Sequence, residues 1–390
     1  MARAQAQAQT PPSRDFKFSK AERAALAPVQ TAIEAKDFAT AAAALPAAVA
    51  AAEGPDAKFI VGQFRLKIGL GLNDTAQQSA GIDAMVASGG ALPSDLAILY
   101  SNQASLAANA GDNKKAELAL ARLVELEPND IKGLAALAEV KIDLGKNAEA
   151  LGLFDRAFAA MTAAGQAVPE NWYKRALKTA YDGKLGAQTS QHSRALVGAY
   201  PTPQNWRDAL VIYRETGGLD EKANLDLLRL MRASKSLSGE RDYYELADAL
   251  STRGLPGETK AVLDEGIAAR MIDGNKAAFK DLLRASSSQT SADKASLAGE
   301  ESKAMAGANG TLALNVADAY LGYGNYAKAI PLYRAALTKG SVDANLVNTR
   351  LGMALAMAGQ KAEAEAAFKA VTGSRAQLAS YWMLWLSQRG

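Results

Sequence analysis

The chain predicts an all-α fold, an α-α superhelix of about ten stacked helical hairpins with a C-terminal capping helix. Two observations carry this. Glycines recur at the ends of apolar-periodic stretches, at Gly111, Gly145, Gly183, Gly217, Gly254, Gly324 and Gly359, with gaps of 34, 38, 34, 37, 70 and 35 residues, the 70 being two periods. A fixed period of this size marks a stack of supersecondary units, each burying its apolar face only against its neighbours. The second is composition: 49% of residues are hydrophobic but only 6% aromatic, so the apolar content is largely alanine, which favours helix and lets helices approach closely. At 390 residues a single globular core would be unusual, whereas a solenoid has no such limit.

Charge and residue usage exclude several functions. The net charge of +3 and the lack of Lys/Arg runs argue against a nucleic-acid partner. No apolar run reaches the roughly 18 residues of a membrane-spanning helix. With no cysteine and one histidine, disulfides and thiolate metal sites are excluded, and neither a metal nor a cofactor is expected.

Along the chain, residues 1–20 read as a tail, and Met1 to Asp15 have the polar, aperiodic composition of disorder. Ala2-Arg3-Ala4 has the small-x-small form of a signal-peptidase site, which gives the expectation of a trimmed export signal and a periplasmic or exported protein, with the cytoplasm as the alternative. The hairpins are expected over 21–376. Lys36-Asp37-Phe38 with Ala41 and Leu45 signals the first, and Asn73, which tolerates a left-handed turn, the second. Ala116 and Ala150 lie 34 apart, with Leu120 matched by Phe154, and Pro128 separates this hairpin from a helix near Ile131 whose inner face is Leu134, Leu137 and Ala138. Asn171-Trp172 and Asn205-Trp206, again 34 apart, place two tryptophans early in first helices, as core. The pattern is degenerate over 165–309. The Gly254 to Gly324 gap predicts a hidden unit with a turn near Ser286 to Ser291, between helices from about Lys276 and about Ser291. Residues 377–390, with Leu378, Tyr381, Trp382, Trp385 and Leu386 at helical spacing, predict a capping helix, with a docking patch as the alternative.

The repeat becomes specific near the C-terminus. Ala317 and Gly352, Tyr320 and Leu355, Gly324 and Gly359, Ala329 and Ala364, Tyr333 and Phe368, and Ala336 and Val371 are all offset by 35. This order of small, large, glycine, small, aromatic and small resembles the tetratricopeptide (TPR) repeat, whose hairpin needs small residues where its helices cross. Gly324 and Gly359 are expected just past the first helix, in a left-handed conformation.

No residue set reads as catalytic. His192 stands where a packing residue belongs, Gly69-Leu70-Gly71 and Gly322-Tyr323-Gly324 lack the strand and spacing of nucleotide loops, and the carboxylates are scattered over helix surfaces. The resemblance instead implies a concave groove lined by first helices. One version of that groove, the carboxylate clamp, is partly matched by Lys280, Asn315 and Arg350, while Arg284 and Leu346 depart from it. A wider set of inward positions is Tyr173, Leu177, Arg207, Val211, Arg214 and Tyr244, with Tyr173 and Tyr244 alternatively packing between repeats. The expectation is a noncatalytic scaffold for a protein or peptide, and the resemblance implies a place within a bacterial envelope assembly or export complex. The alternatives are an all-α toroidal carbohydrate-active enzyme or carbohydrate-binding protein, and a structural module that self-associates through its Trp-rich end.

Overall fold

A computed structural model describes residues 15–389, and among these it contains twenty α-helices, one 3-10 turn and no strand. The chain divides into two compact units, one ending at Leu185 and one beginning at Gly186.

The first unit comprises α1 (Lys20–Glu34), α2 (Phe38–Ala51), α3 (Pro55–Gly71), α4 (Thr75–Ala87), α5 (Pro93–Asn109), α6 (Asn113–Leu126), α7 (Ile131–Asp143), α8 (Asn147–Ala163) and α9 (Glu170–Asp182). Its helix starts are written in the sequence. Asp37, Asp74, Asp112 and Asp130 each accept a backbone N–H as N-caps, and Pro55 and Pro93 occupy first-turn positions whose N–H would go unused. The turns within hairpins are equally short: a left-handed residue at Lys36, Asn73, Gly111 or Gly145 is followed at once by the cap of the next helix. The packing alanines Ala116 and Ala150 are fully buried, with Leu120 and Phe154 beside them.

Helices α3 and α4 approach closely, and glycine makes it possible. A Cβ on Gly81 would stand 2.5 Å from the Leu66 backbone nitrogen, and one on Gly62 would stand 2.9 Å from the Gly81 carbonyl oxygen. The expected tail is partly replaced by ordered chain. Residues 1–14 lie outside the described residues, but Phe16 stacks on Phe59 at 6.2 Å and on Phe18 at 6.0 Å, and the Lys17 N–H donates to Asp56 Oδ2 at 2.8 Å. Glu22 fixes the same corner. Its carboxylate accepts from Ser19 N–H at 2.7 Å, completing a capping box, and from Glu53 N–H at 3.1 Å and Gly54 N–H at 2.9 Å in the α2–α3 link.

The second unit comprises α10 (Gly186–Ala199), α11 (Pro203–Thr216), α12 (Glu221–Ala233), α13 (Gly239–Thr252), α14 (Pro256–Ala268), α15 (Ala277–Ala306), α16 (Gly310–Gly322), α17 (Tyr326–Lys339), α18 (Ala344–Met357), α19 (Lys361–Lys369), a 3-10 turn (Gly373–Arg375) and α20 (Ala376–Ser387). The 35-residue match holds here: Ala317, Ala329, Ala336 and Ala364 are fully buried, and a Cβ on Gly352 would lie 2.5 Å from the Phe368 ring. Gly324 and Gly359 are left-handed as expected, at φ 70° and 77°.

Elsewhere the structure departs from the expectation. The turn anticipated near Ser286 to Ser291 does not exist, because α15 is one helix of 30 residues. The stretch has no glycine or proline, and its hydroxyls bond back along the helix, Thr290 Oγ1 to the Ser286 carbonyl at 2.7 Å and Ser286 Oγ to that of Leu283 at 3.2 Å. At Gly183 and Gly217 the left-handed residue is the next one, Lys184 or Gly218. Helix α12 is buried on every side, from Leu225 through Met231, so it runs inside the unit. The helix expected as an end cap, α20, lies on α19 and also reaches back to α10 and α12. Tyr381 Oη and Ser193 Oγ are 2.9 Å apart, Trp385 Nε1 donates to the Ala233 carbonyl at 3.1 Å, and Gln388 Nε2 donates to the Val197 carbonyl at 2.9 Å. Tyr381, Trp382 and Trp385 are buried by this return, which takes them out of contention as an exposed docking patch.

Two stability measurements test this packing. Gly81→Ala should force α3 and α4 apart and cost about 1–3 kcal/mol in denaturant unfolding. Gly152→Ala, in the open on α8, should stabilise by about 0.5–1 kcal/mol, and equal effects from the two would contradict the close approach. The Glu22 carboxyl is drawn down to about 2, first by the Gly54 N–H, then by Ser19. A depressed folded value gives a contribution present above the ordinary value of 4.5 and lost as pH falls toward 2. Glu22→Gln should therefore shrink the drop in Tm between about pH 5 and about pH 3.

Candidate functional site

First helices of adjacent hairpins leave clefts, and charge pairs one repeat apart tie the same helices together. On α9, Arg175 Nε donates to both carboxylate oxygens of Glu139 on α7 at 3.0 Å. On α11, Arg207 pairs with Asp242 and Arg214 with Glu245, both on α13. Lys276, at the start of α15, reaches Glu240 at 2.6 Å. The sequence offered Arg207 and Arg214 as donors for a partner; each has an acid 35 or 31 residues further on. A period of basic residues answered by acids one repeat later is the signal that would have found this.

Inside the second unit lies a cluster of three carboxylates and three guanidinium groups. Asp226, fully buried on α12, accepts from Arg350 Nε at 3.1 Å, Arg229 Nη1 at 3.1 Å and Arg375 Nη1 at 2.8 Å. Arg350 also reaches Asp318 at 2.5 Å, Tyr333 Oη donates to Asp318 at 2.7 Å, and Arg229 Nη2 donates to Glu258 at 2.6 Å. Burial pushes the Asp226 carboxyl up, but Arg350, Arg229 and Arg375 outweigh it and hold it below the ordinary carboxylate range. With its charge met by three guanidinium groups, Asp226 is held as the carboxylate at neutral pH.

This corrects the clamp reading. Arg350 does hold a carboxylate, but the carboxylate is that of Asp226 in the same chain, and the Arg350 side chain is 5% exposed. Asn315 shares a cleft of about 440 Å³ with Arg350, Lys222, Arg253 and Asp293, and its side chain is exposed. Lys280 is exposed on α15 and does not line that cleft. Leu177 is buried core, and Val211 is half-buried against the core of the second unit. Tyr173 packs on Phe158 with ring centroids 4.8 Å apart, and Tyr244, 41% exposed, meets Phe279 edge-on at 5.9 Å.

Of the two tryptophans read as core, Trp206 is buried and Trp172 is partly buried, packed against the core of the first unit and on Phe158 with ring centroids 6.4 Å apart. Trp172 also lines a cleft of about 380 Å³ between α7 and α9, with Asn171, Ala135, Ala136 and the Arg175–Glu139 pair. A second cleft of the first unit, about 430 Å³, is lined by Phe16, Phe18, Ile33, Ile60 and Phe64 with Arg23 and Lys67 at its edge. His192 is buried, as expected of a structural residue, and no group of three or more metal-ligating side chains occurs among the described residues.

Hairpins with small residues at each crossing, a left-handed turn residue and a 35-residue register settle the fold class. The fold is TPR-like. No protein-family profile matches the chain, and no curated protein does. Among solved structures, the type IV pilus biogenesis factor PilW is 18% identical over 46% of this chain and 78% of its own, with a TM-score of 0.28. A tetratricopeptide repeat protein from Parabacteroides merdae is 14% identical over 75% of this chain and 99% of its own, with a TM-score of 0.28. The C-terminal part of a TPR repeat-containing protein from Cytophaga hutchinsonii is 8% identical over 82% and 97%, with a TM-score of 0.32. With TM-scores this low, no partner or activity is carried over from them.

Removing one member of the buried cluster leaves an opposite charge without its partner. Arg350→Met is expected to cost about 3–5 kcal/mol in urea unfolding, whereas Lys280→Ala on the exposed face should stay within about 0.5 kcal/mol. A wild-type midpoint for Arg350→Met would mean that the cluster does not hold the second unit together.

Proposed function

We propose that the chain is a noncatalytic scaffold that binds an extended segment of another protein across first-helix clefts of its TPR-like hairpins. The observation that carries this reading is Trp172, a partly buried indole that lines a cleft of about 380 Å³ beside Asn171 and an Arg175–Glu139 pair. Tryptophan beside arginine is the residue pairing that binding hot spots favour, and Asn171 adds a polar group able to bond to an extended backbone. The Arg175–Glu139 pair rims the cleft and presents charge without being free to leave it. Such a cleft suits a segment that lays an apolar or aromatic side chain on the indole. In the second unit, Tyr244, Asn315 and Lys280 are the proposed contacts whose side chains are exposed. A place for this scaffold in a bacterial envelope complex rests on the resemblance to TPR proteins together with the Ala2-Arg3-Ala4 spacing.

The test is a photo-crosslinker placed at Ala136, exposed in the cleft, and at Leu118, exposed on the second helix α6, each in the full chain in its source cell. A partner band at 136 that Trp172→Ala reduces about tenfold or more is the expected result. Crosslinks at 118 alone, or bands at 136 that Trp172→Ala leaves intact, would overturn the proposal.

A further inference from the structure

A separate cavity of about 310 Å³ lies in the second unit, at the C-terminal end of α12, and the reading above makes no use of it. Its apolar wall is Leu321, Tyr326, Met353, Met357 and Trp382. Two methionines make that wall adaptable, since an unbranched thioether fills irregular gaps without a fixed rotamer. The size lies at the lower end of what small-molecule sites occupy, about 300 Å³ upward.

The polar lining is unbalanced. Arg229, Arg232 and Lys235 face Glu258 and Glu265, three cations against two carboxylates. Arg229 is spent on Glu258 at 2.6 Å, and Arg232 Nε on Glu265 at 2.7 Å. Lys235, exposed just past the end of α12, has no carboxylate within ion-pair distance among the described residues. Trp382 is 2% exposed and adds ring surface to the wall, its Nε1–H being closed off from the cavity. An ammonium can only donate, so Lys235 is the polar group of the lining left to a ligand. The cavity therefore asks for an acceptor that carries negative charge and an apolar body. Tyr326 also lines it, and burial pushes its hydroxyl up, so it remains neutral and adds no competing anion.

We propose that this cavity binds a small amphipathic carboxylate, an alkyl acid whose chain lies on Met353, Met357, Leu321 and Trp382 and whose carboxylate meets the Lys235 ammonium. A neutral alcohol of the same length has the same apolar body and lacks the charge-assisted bond. A longer acid gains affinity until the cavity is full.

The experiment is calorimetric titration of the full chain with decanoate and with decanol, both below the concentration at which decanoate self-associates. Decanoate should bind saturably at one site per chain and about tenfold more tightly than decanol, the difference a charge-assisted hydrogen bond provides. Shortening the acid from decanoate to octanoate should weaken binding by about fourfold per methylene. Lys235→Asn keeps a residue suited to the left-handed conformation found there (φ 57°), and it should remove the preference for the acid while leaving decanol unchanged. Met357→Trp, at a partly exposed wall position, should fill the space and abolish binding of both, with an unaltered melting curve confirming that the fold is retained. No saturable decanoate binding, equal affinity for acid and alcohol, or an acid preference that survives Lys235→Asn would each overturn the proposal.

Discussion

Close crossing of helices whose facing residues are alanine or glycine is the constraint on which the rest depends. An alanine buries little apolar area, so a crossing such as Ala329 on Ala317, or Gly62 on Gly81, holds by contact distance rather than by hydrophobic bulk. Larger side chains are confined to the flanks of each crossing, as Tyr333 and Phe368 are, and each hairpin remains incomplete until its neighbour covers it. Lateral ties between hairpins follow from that shortage. The charge pairs at one-repeat spacing supply them, modestly where exposed, and fix which faces of adjacent first helices stay in register.

In the second unit the same logic turns inward. Helix α12 is buried on every side from Leu225 through Met231, so its own chain encloses it, and it carries Asp226 and Arg229 into that enclosure. A buried carboxylate is tolerable only with its charge met, and three guanidinium groups from α12, α18 and the 3-10 turn before α20 do so. Those donors lie far apart in sequence, with Arg350 separated from Asp226 by 124 residues and Arg375 by 149. The cluster thus specifies which distant helices meet, a role that apolar contact between α12, α18 and α20 could not perform alone, since leucine and tryptophan accept many registers.

What was legible in the sequence was the local part. Hairpin turns, caps and the small-large order at each crossing are set by residues within one period, and Gly324, Gly359, Asn73 and the buried alanines stand where the period puts them. The long α15 was hidden because a repeat was expected to supply a turn, while the residues at the expected turn, Ser286 to Ser291, include neither glycine nor proline and continue a helix at little cost. Arg350 shows the other limit. Its type and spacing correctly suggested a group that binds a carboxylate, but spacing says nothing of whether that carboxylate comes from a partner or from 124 residues earlier in the chain.

Trp172 and Trp206 make the same point with identical local signals. Both follow an asparagine, both sit early in a first helix, and they are 34 residues apart. Trp206 is covered because α20 returns to it, the indole Nε1–H donating to Gln388 at 3.2 Å, whereas Trp172, packed against the core of its own unit, is left partly buried beside α7. Exposure in a repeat protein is therefore decided less by the repeat than by what the chain folds back upon it. A large aromatic residue that the repeat pattern places inside, and that no returning segment covers, keeps part of its apolar face available, which is the physical basis for proposing recognition at the α7–α9 cleft rather than at the α11 face.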